Sequence, residues 1–174
     1  MLRSMLALTC AAAIATSGCS ALKSKKDPFP IELAPTPGSS ASGSLSAKPV
    51  PGGVHLQGRI VGLGPGSAHG FHIHRNGDCS GPATVGAHFN PTGTEHGDPS
   101  GMIHHAGDLP NLTADAQGNV TLDLTVRGVS LDTGTSDDVL GHSLVVDRDQ
   151  DDFTTQPDGN SGTHLACGVI LKRE

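Results

Sequence analysis

Apolar and polar residues alternate along several short segments of the chain. The clearest segment is Val120–Val126, in which every second residue is apolar. A period of two is typical of a β-strand with one buried face. Further strands are predicted at 53–62, 68–74, 139–146 and 164–171, with turns at 115–119 and 157–160. No segment keeps a helical period over three turns, so the pattern predicts an all-β fold, an antiparallel sandwich or barrel.

The chain divides into one folded domain and an N-terminal extension. Its 174 residues suit a single domain. Residues 24–43 are rich in Pro, Ser, Ala and Gly, a composition typical of a linker. We therefore expect a signal peptide at 1–18, an anchor and linker at 19–43, and the domain at 44–174. Within the domain, residues 75–118 carry few strand signals, and long loops in compact domains usually carry function.

The first residues have the features of a secretory signal. A charged start at Arg3 precedes the apolar run Met5–Ala15, which is too short to span a bilayer stably. The run ends in small residues before Cys19, similar to the bacterial lipoprotein processing site, although Thr16 stands where such sites usually have Leu. We expect Cys19 to carry lipid in the periplasm or cell envelope, with plain secretion as the alternative. Membrane contact is then limited to the lipid anchor.

Charge and composition narrow the classes of partner. Removal of residues 1–18 takes away only Arg3, which leaves ten basic and 17 acidic residues and a net charge near −7. That balance disfavours nucleic acid or an anionic membrane surface as a partner. The chain has 24 Gly, 12 Pro, four Phe and no Trp or Tyr. Large apolar side chains are therefore scarce, and disulfides or metals usually supplement such a thin core.

The cysteines offer one such supplement. Cys10 lies in the apolar run and Cys19 would carry lipid, so only Cys79 and Cys167 remain in the mature domain. An oxidising compartment makes them a natural disulfide pair, with two separate buried thiols as the alternative.

Histidines offer the other supplement, because they crowd into one part of the chain. Seven of the ten fall between positions 69 and 105. His72 and His74 are two residues apart, so on a strand both project from the same face and can reach one metal ion. The following loop bears His88, His96, His105 and Asp108. Three imidazoles and a carboxylate suit a closed tetrahedral zinc site.

Five segments carry a resemblance to a known family. They are His69-Gly70-Phe71-His72-Ile73-His74, Gly86-Ala87-His88-Phe89-Asn90-Pro91, His96-Gly97-Asp98-Pro99, His105-Ala106-Gly107-Asp108-Leu109 and Leu165-Ala166-Cys167-Gly168-Val169-Ile170. In this order, across about 42–172, they resemble the signature segments of copper/zinc superoxide dismutases. The resemblance implies a Greek-key β-barrel or sandwich of eight antiparallel strands with long zinc and electrostatic loops. The zinc loop would run from about 75 to 110, tied down by Cys79–Cys167.

The resemblance also implies the roles of individual residues. His72 and His74 match copper ligands, His88 matches the imidazole that bridges copper and zinc, and the remaining zinc ligands match His96, His105 and Asp108. Asp151 matches the carboxylate that accepts hydrogen bonds from one copper ligand and one zinc ligand. The implied chemistry is redox cycling at copper, which converts superoxide to oxygen and hydrogen peroxide. His88, when protonated, would supply a proton.

Asp147 departs from the family pattern at the copper site. It stands where the family has its fourth copper ligand, a histidine. A carboxylate is a harder, negatively charged ligand that should favour Cu(II) and disfavour the reductive half-reaction. His142 would replace the missing imidazole only through a bulge, because five residues along a regular strand place it on the opposite face.

His164 is the second departure, and it stands where the family has an arginine that guides superoxide. Arginine is permanently charged and histidine is not. The electrostatic loop, residues 148–164, looks shorter than in typical members and carries four Asp and no Lys. We expect weaker steering of anions. One hypothesis is that His164 turns inward as the missing copper ligand, with Asp147 accepting its other N–H; the alternative is a polar surface residue.

These observations leave three functions open. The first is an exported superoxide dismutase, with superoxide as substrate and reduced activity. The second is a catalytically weak or inactive relative that stores, buffers or delivers zinc or copper. The third, a structural lipoprotein that binds no metal, requires all four zinc ligands to be relics and is disfavoured. Oligomeric state is not encoded in any of these patterns, and a homodimer stays open.

Overall fold

The computed structural model describes residues 28–172, and all regular structure in that range is β-strand. The nine strands are β1 Phe29–Pro35, β2 Ser42–Val50, β3 Gly53–Val61, β4 Ala68–His69, β5 Phe71–His74, β6 Leu112–Thr113, β7 Val120–Arg127, β8 Ser143–Asp147 and β9 His164–Val169. Only Gly70 separates β4 from β5. Counted as one interrupted strand, this pair reduces the total to the eight strands that the resemblance implies.

Seven strands form one curved antiparallel sheet, a half-barrel, in the order β5-β8-β9-β1-β2-β3-β7. A second sheet pairs β4 with β6. Three neighbouring pairs, β5 with β8, β9 with β1, and β3 with β7, are distant in sequence, so long connections return strands to non-sequential neighbours as in a Greek key. The predicted all-β antiparallel fold class is confirmed.

The expected linker is wrong for the part that the structure describes. Phe29, Ile31 and Leu33 are buried in β1, while Pro30 and Glu32 between them are exposed. The strand pairs with β2 along most of its length and with β9 at its end, so it joins the two halves of the sheet. The prolines of this segment suggested a linker, so its alternation of apolar and polar residues was not read as a strand. The domain therefore begins before residue 44, whereas the predicted signal peptide, Cys19 and residues 20–27 lie outside the described residues.

The other strand predictions agree with the structure apart from their ends. The strands predicted at 53–62 and 120–126 correspond to β3 and β7, and Gly70 divides the one predicted at 68–74. The strand predicted at 139–146 begins only at Ser143, and β9 ends at Val169. The sequence pattern missed β1, β2 and the two-residue β6.

The apolar core lies inside the half-barrel, with Phe29 and Phe71 among its fully buried side chains. The predicted disulfide is present: Cys79, in the zinc loop, is bonded to Cys167 of β9, with 5.7 Å between their Cα atoms. It fastens the start of the long zinc loop to the middle of the sheet. No helix in residues 28–172 is long and apolar enough to cross a bilayer.

Candidate metal centre

The zinc loop lies against β5, and backbone hydrogen bonds hold it there. Gly107 accepts a hydrogen bond from the N–H of Ile73, while Phe89 donates to Ile73 and accepts from Gly107. Gly107 is required at this contact because a Cβ atom would clash with the carbonyl oxygen of Ile73. Bridges pair His74 with His88 and His72 with Asp108. The two histidines of β5 therefore face the donors of the loop.

Four buried residues of the zinc loop form the first donor group: their ligand atoms lie within 4.8 Å of one another, and they are His88, His96, His105 and Asp108. Asp108 is central, with one carboxylate oxygen 2.8 Å from Nδ1 of His88 and the other 3.1 Å from Nδ1 of His96. Burial opposes ionisation, but hydrogen bonds from His88 and from the backbone of His105 and Gly97 hold the pKa of Asp108 well below its usual range.

The second donor group consists of His72, His74 and His88, whose ligand atoms also lie within 4.8 Å of one another. His88 belongs to both groups, and its ring stacks on that of His72 with 3.9 Å between centroids. His74 donates from Nδ1 to the carbonyl oxygen of Gly86 at 2.8 Å, so Nε2 is its remaining donor atom. Two donor groups thus share one imidazole.

Several of these nitrogens lack partners. Nε2 of His74, Nδ1 of His96 and Nδ1 of His105 are buried and make no hydrogen bond within the described residues. An unpaired buried polar atom costs about 1–3 kcal/mol, whereas one metal ion in the first group would satisfy His96 and His105 and another in the second group would satisfy His74. With the carboxylate of Asp108, the first group has the three-nitrogen, one-oxygen donor set that suits zinc. The residues present therefore fit a zinc ion, and the three histidines of the second group fit a copper ion.

The fully buried carboxylate of Asp151 connects the two groups. One oxygen accepts a hydrogen bond from Nε2 of His72 at 2.9 Å and the other accepts from Nε2 of His96 at 3.0 Å. This is the arrangement that the resemblance implied. Because each ring uses Nε2 for Asp151, each presents Nδ1 to its donor group. Burial opposes ionisation of Asp151, but the hydrogen bond from His72 and the backbone of Phe153 lower its pKa.

Asp147 lies beside the second group and is not part of the set whose ligand atoms are mutually close. A bulge between Val146 and Asp147 disturbs the pairing of β8 with β9. The buried carboxylate accepts a hydrogen bond from Nδ1 of His72 at 2.8 Å, the atom that would bind copper. His69 donates from Nδ1 to the backbone carbonyl of Asp147 at 2.8 Å. The fourth copper position is therefore held by an acid that already contacts another donor.

His164 and His142 have different surroundings. The ring of His164 lies 5.3 Å from that of His74, and its Nε2 is 3.9 Å from a carboxylate oxygen of Asp147, beyond hydrogen-bond distance. Its inward turn as a copper ligand stays a hypothesis. His142 precedes β8, and its ring packs against Phe89 at 4.4 Å. The bulge occurs at the other end of β8, so it does not bring His142 into the centre.

A cavity of about 480 Å³ opens over the second group. We call it the mouth cavity. Its wall includes the donor histidines His74 and His88. It also includes the two departures from the family pattern, Asp147 and His164, together with the charged residues Arg75 and Asp158. The carboxyl-terminal part of the electrostatic loop therefore forms one side of the approach to the candidate copper group.

The sequence model of copper/zinc superoxide dismutase matches residues 41–170. The chain belongs to the copper/zinc superoxide dismutase family. Superoxide dismutase-like protein YojM of Bacillus subtilis (strain 168) is 40% identical over 114 residues, 63% of this chain and 58% of that protein. The chain thus covers less than two thirds of YojM. A Cu-Zn superoxide dismutase 2 from Mesembryanthemum crystallinum is 40% identical over 126 residues, 68% of this chain and 79% of that protein.

Solved structures agree with this membership of the superoxide dismutase family. A double mutant of a SOD-like protein from Bacillus subtilis superposes with a TM-score of 0.75 at 35% identity, over 83% of this chain and 97% of that chain. Copper and zinc are the cofactors of this family, and superoxide is its substrate.

Two side-chain amides support this superoxide dismutase-type centre, and sequence reasoning missed both. Gln156 accepts a hydrogen bond from the N–H of His96 at 3.0 Å and donates to its carbonyl oxygen at 2.8 Å. Asn111 makes the equivalent pair with the backbone of Asp151, both at 2.9 Å. No motif distinguishes a loop amide of this kind from a solvated one. Each amide fixes a residue that sets the orientation of an imidazole.

The titration of the buried histidines predicts a pH optimum of stability in the metal-free protein. Burial alone would lower the pKa of His72, but hydrogen bonds to Asp147 and Asp151 raise it from 6.5 to about 9. Burial lowers the pKa of His74 to about 4. The raised pKa of His72 contributes stability that is lost as pH rises from 6.5 towards 9, and the lowered pKa of His74 contributes stability that is lost as pH falls from 6.5 towards 4.

We expect the free energy of unfolding of the chelator-treated protein, measured with urea, to be greatest near pH 6.5. Asp147→Asn should flatten the decline on the alkaline side, because His72 loses its nearest carboxylate. Asp149→Asn, a change at an exposed neighbour in the electrostatic loop, should leave the profile unaltered. An alkaline decline of equal size in both variants would show that the contact of His72 with Asp147 does not cause it.

The two hydrogen bonds between Gln156 and the backbone of His96 predict that Gln156 raises the affinity of the site for zinc. Gln156→Ala removes both hydrogen bonds to the backbone of His96, and loss of such support typically weakens a metal site about tenfold or more. Zinc affinity would be measured by competition with a coloured chelator. Gln150→Ala is the matched control, because Gln150 lies exposed in the same loop with no side-chain hydrogen bond in the described part of the chain. Equal zinc affinities in the two variants would contradict a supporting role for the hydrogen bonds of Gln156 to His96.

Proposed function

We propose that this protein dismutates superoxide to oxygen and hydrogen peroxide at a copper/zinc centre, with activity below that of relatives that keep the fourth copper histidine and the guiding arginine. The single observation that carries the proposal is the pair of buried donor groups that share His88. A storage or structural site needs no such shared ring, whereas coupled copper and zinc chemistry does.

In this proposal zinc is held by His88, His96, His105 and Asp108, and copper by His72, His74 and His88. Copper supplies one-electron redox chemistry when bound. The chain orients the copper ligands through the contacts of His74 with Gly86 and of His72 with Asp151. Because Asp108 holds Nδ1 of His88 at 2.8 Å, Nε2 is the atom from which His88 would deliver a proton to the reduced substrate.

Two features support reduced activity. The carboxylate of Asp147 brings negative charge to the copper ligand His72, which favours Cu(II) over Cu(I). His164 occupies the position of the guiding arginine on the wall of the mouth cavity. Steering by a permanent positive charge at that position is therefore absent, and anion capture should slow.

The test compares metal-loaded proteins. The protein and an Asp147→His, His164→Arg double variant are loaded with zinc and copper, then assayed for metal content and for superoxide consumption by pulse radiolysis. We expect both proteins to retain both metals and to consume superoxide, the double variant about tenfold faster or more as charge steering returns. Zinc and copper retained by the unmodified protein without any superoxide consumption, with activity only in the double variant, would establish metal buffering in place of dismutation.

We also propose that the protein acts outside the cytoplasm, anchored through lipid on Cys19. The Cys79–Cys167 disulfide supports this location, because disulfides persist in oxidising compartments. Expressed in a bacterial host, the protein should fractionate with membranes, and Cys19→Ser should leave it unlipidated and released by osmotic shock or confined to an uncleaved precursor. Recovery of the unmodified protein from the cytosol would refute export, and equal release of both forms would refute lipidation while leaving secretion intact.

A further inference from the structure

The wall of the mouth cavity has an uneven charge distribution. Among the described residues that form it, Arg75 is the one permanently charged cation, whereas Asp147 and Asp158 are acids. The guanidinium of Arg148, in the electrostatic loop, is paired with Asp149 at 3.1 Å. An anion entering this cavity therefore meets a single uncompensated source of attraction.

The backbone around Arg75 is held firmly against the zinc loop. Arg75 directly follows His74, and its N–H donates to the carbonyl oxygen of Ala87 at 2.9 Å. The N–H of Asn76 donates to Val85 at 2.8 Å, which continues the ladder. The backbone of Arg75 is thus fixed on the wall of the mouth cavity, directly after His74 and paired with Ala87, the neighbour of His88; the proposed function assigns both histidines to copper.

The charge of Arg75 is also uncommitted. The side chain is exposed, and no acid among residues 28–172 lies within ion-pair distance of its guanidinium. A guanidinium engaged with a carboxylate would present little net field to a passing anion, whereas an unpaired one keeps its full charge. The zinc loop therefore supplies the positive charge that the electrostatic loop, with its four Asp and no Lys, does not.

We propose that Arg75 draws small monovalent anions into the mouth cavity and so takes over the guiding task that His164 leaves unfilled. That superoxide is the anion concerned rests on the proposed function; the attraction of monovalent anions does not. The effect is electrostatic, so it should depend on charge and on salt, and not on the length of the side chain.

The experiment titrates azide, a small monovalent anion, into the zinc-loaded protein with and without copper. In the copper-containing protein the Cu(II) absorption band reports azide binding, and in the zinc-only protein the amide NMR shifts of Gly86 and Gly162, on the cavity wall, report azide entry. At low ionic strength Arg75→Gln should weaken azide binding about threefold and Arg75→Glu about tenfold, with both differences collapsing at high salt.

Two further variants sharpen the test. Arg59→Gln removes an exposed arginine from β3, away from the mouth cavity, and should leave azide binding unchanged. Asp158→Asn removes an exposed acid from the cavity wall and should strengthen binding about twofold at low ionic strength. Equal effects of Arg75→Gln and Arg59→Gln, or a loss at Arg75 that persists at high salt, would overturn the proposal.

The two proposals fail in different ways. If copper-loaded protein consumes no superoxide while azide entry into the zinc-only protein still depends on Arg75, the guiding role stands and dismutation is refuted. If superoxide is consumed at a rate indifferent to Arg75 and azide entry is equally indifferent, dismutation stands and the guiding role is refuted.

Discussion

The architecture of the metal centre depends on one buried carboxylate. Asp151 accepts from Nε2 of His72 and from Nε2 of His96, one imidazole from each donor group. These two bonds decide the tautomer of both rings and so decide that Nδ1 is the donor atom on each. Asp151 itself belongs to the electrostatic loop, and Asn111 holds its backbone on both sides. One residue therefore joins β5, the zinc loop and the electrostatic loop at the same site, and displacing it would free the rings of His72 and His96 from their shared acceptor.

Features of the fold and the metal centre could be predicted from the sequence where they depend on neighbouring residues, and not where they depend on residues distant in sequence. The spacing of His72 and His74 sufficed to place both on one face of a strand, since alternation is a local property of the backbone. The donor set of the zinc loop followed from residue type together with the resemblance. The roles of Gln156 and Asn111 could not be predicted, because an amide that pairs with a distant backbone has the same local sequence as an amide in water. The strand β1 was lost for a related reason: Pro30 and Pro35 are typical of linkers, and only the partners β2 and β9 make the segment a strand.

The position of Asp147 shows how one substitution redistributes contacts without disturbing the scaffold. The residue is buried at the end of β8, its backbone carbonyl is bound by His69, and a bulge separates it from the regular ladder. An uncompensated carboxylate would be costly at this depth, and the hydrogen bond from Nδ1 of His72 compensates it. The same bond occupies the nitrogen that copper needs. Stability of the metal-free centre and access of copper to it are therefore opposed at a single atom. The zinc group has the same opposition at Nδ1 of His88, which is hydrogen-bonded to Asp108 at 2.8 Å, whereas the buried Nδ1 atoms of His96 and His105 make no hydrogen bond in the described residues.

The charge that attracts anions into the mouth cavity can also change position without a change in the fold. A guiding charge need not come from a particular strand, because the field at the mouth of a cavity depends on where the charge lies and on whether it is neutralised. His164, at the start of β9, lies close to the buried Asp147, so even its charged form would sit beside an acid and contribute little net attraction. Arg75, directly after β5, also lies on the wall of the mouth cavity and has no acidic partner in the described residues. With its positive charge in the zinc loop and not in β9, the mouth cavity still attracts anions, while the interior around Asp147 keeps its negative charge. Under the proposed dismutase function, an altered copper ligand and capture of the substrate anion are therefore separable properties of this fold.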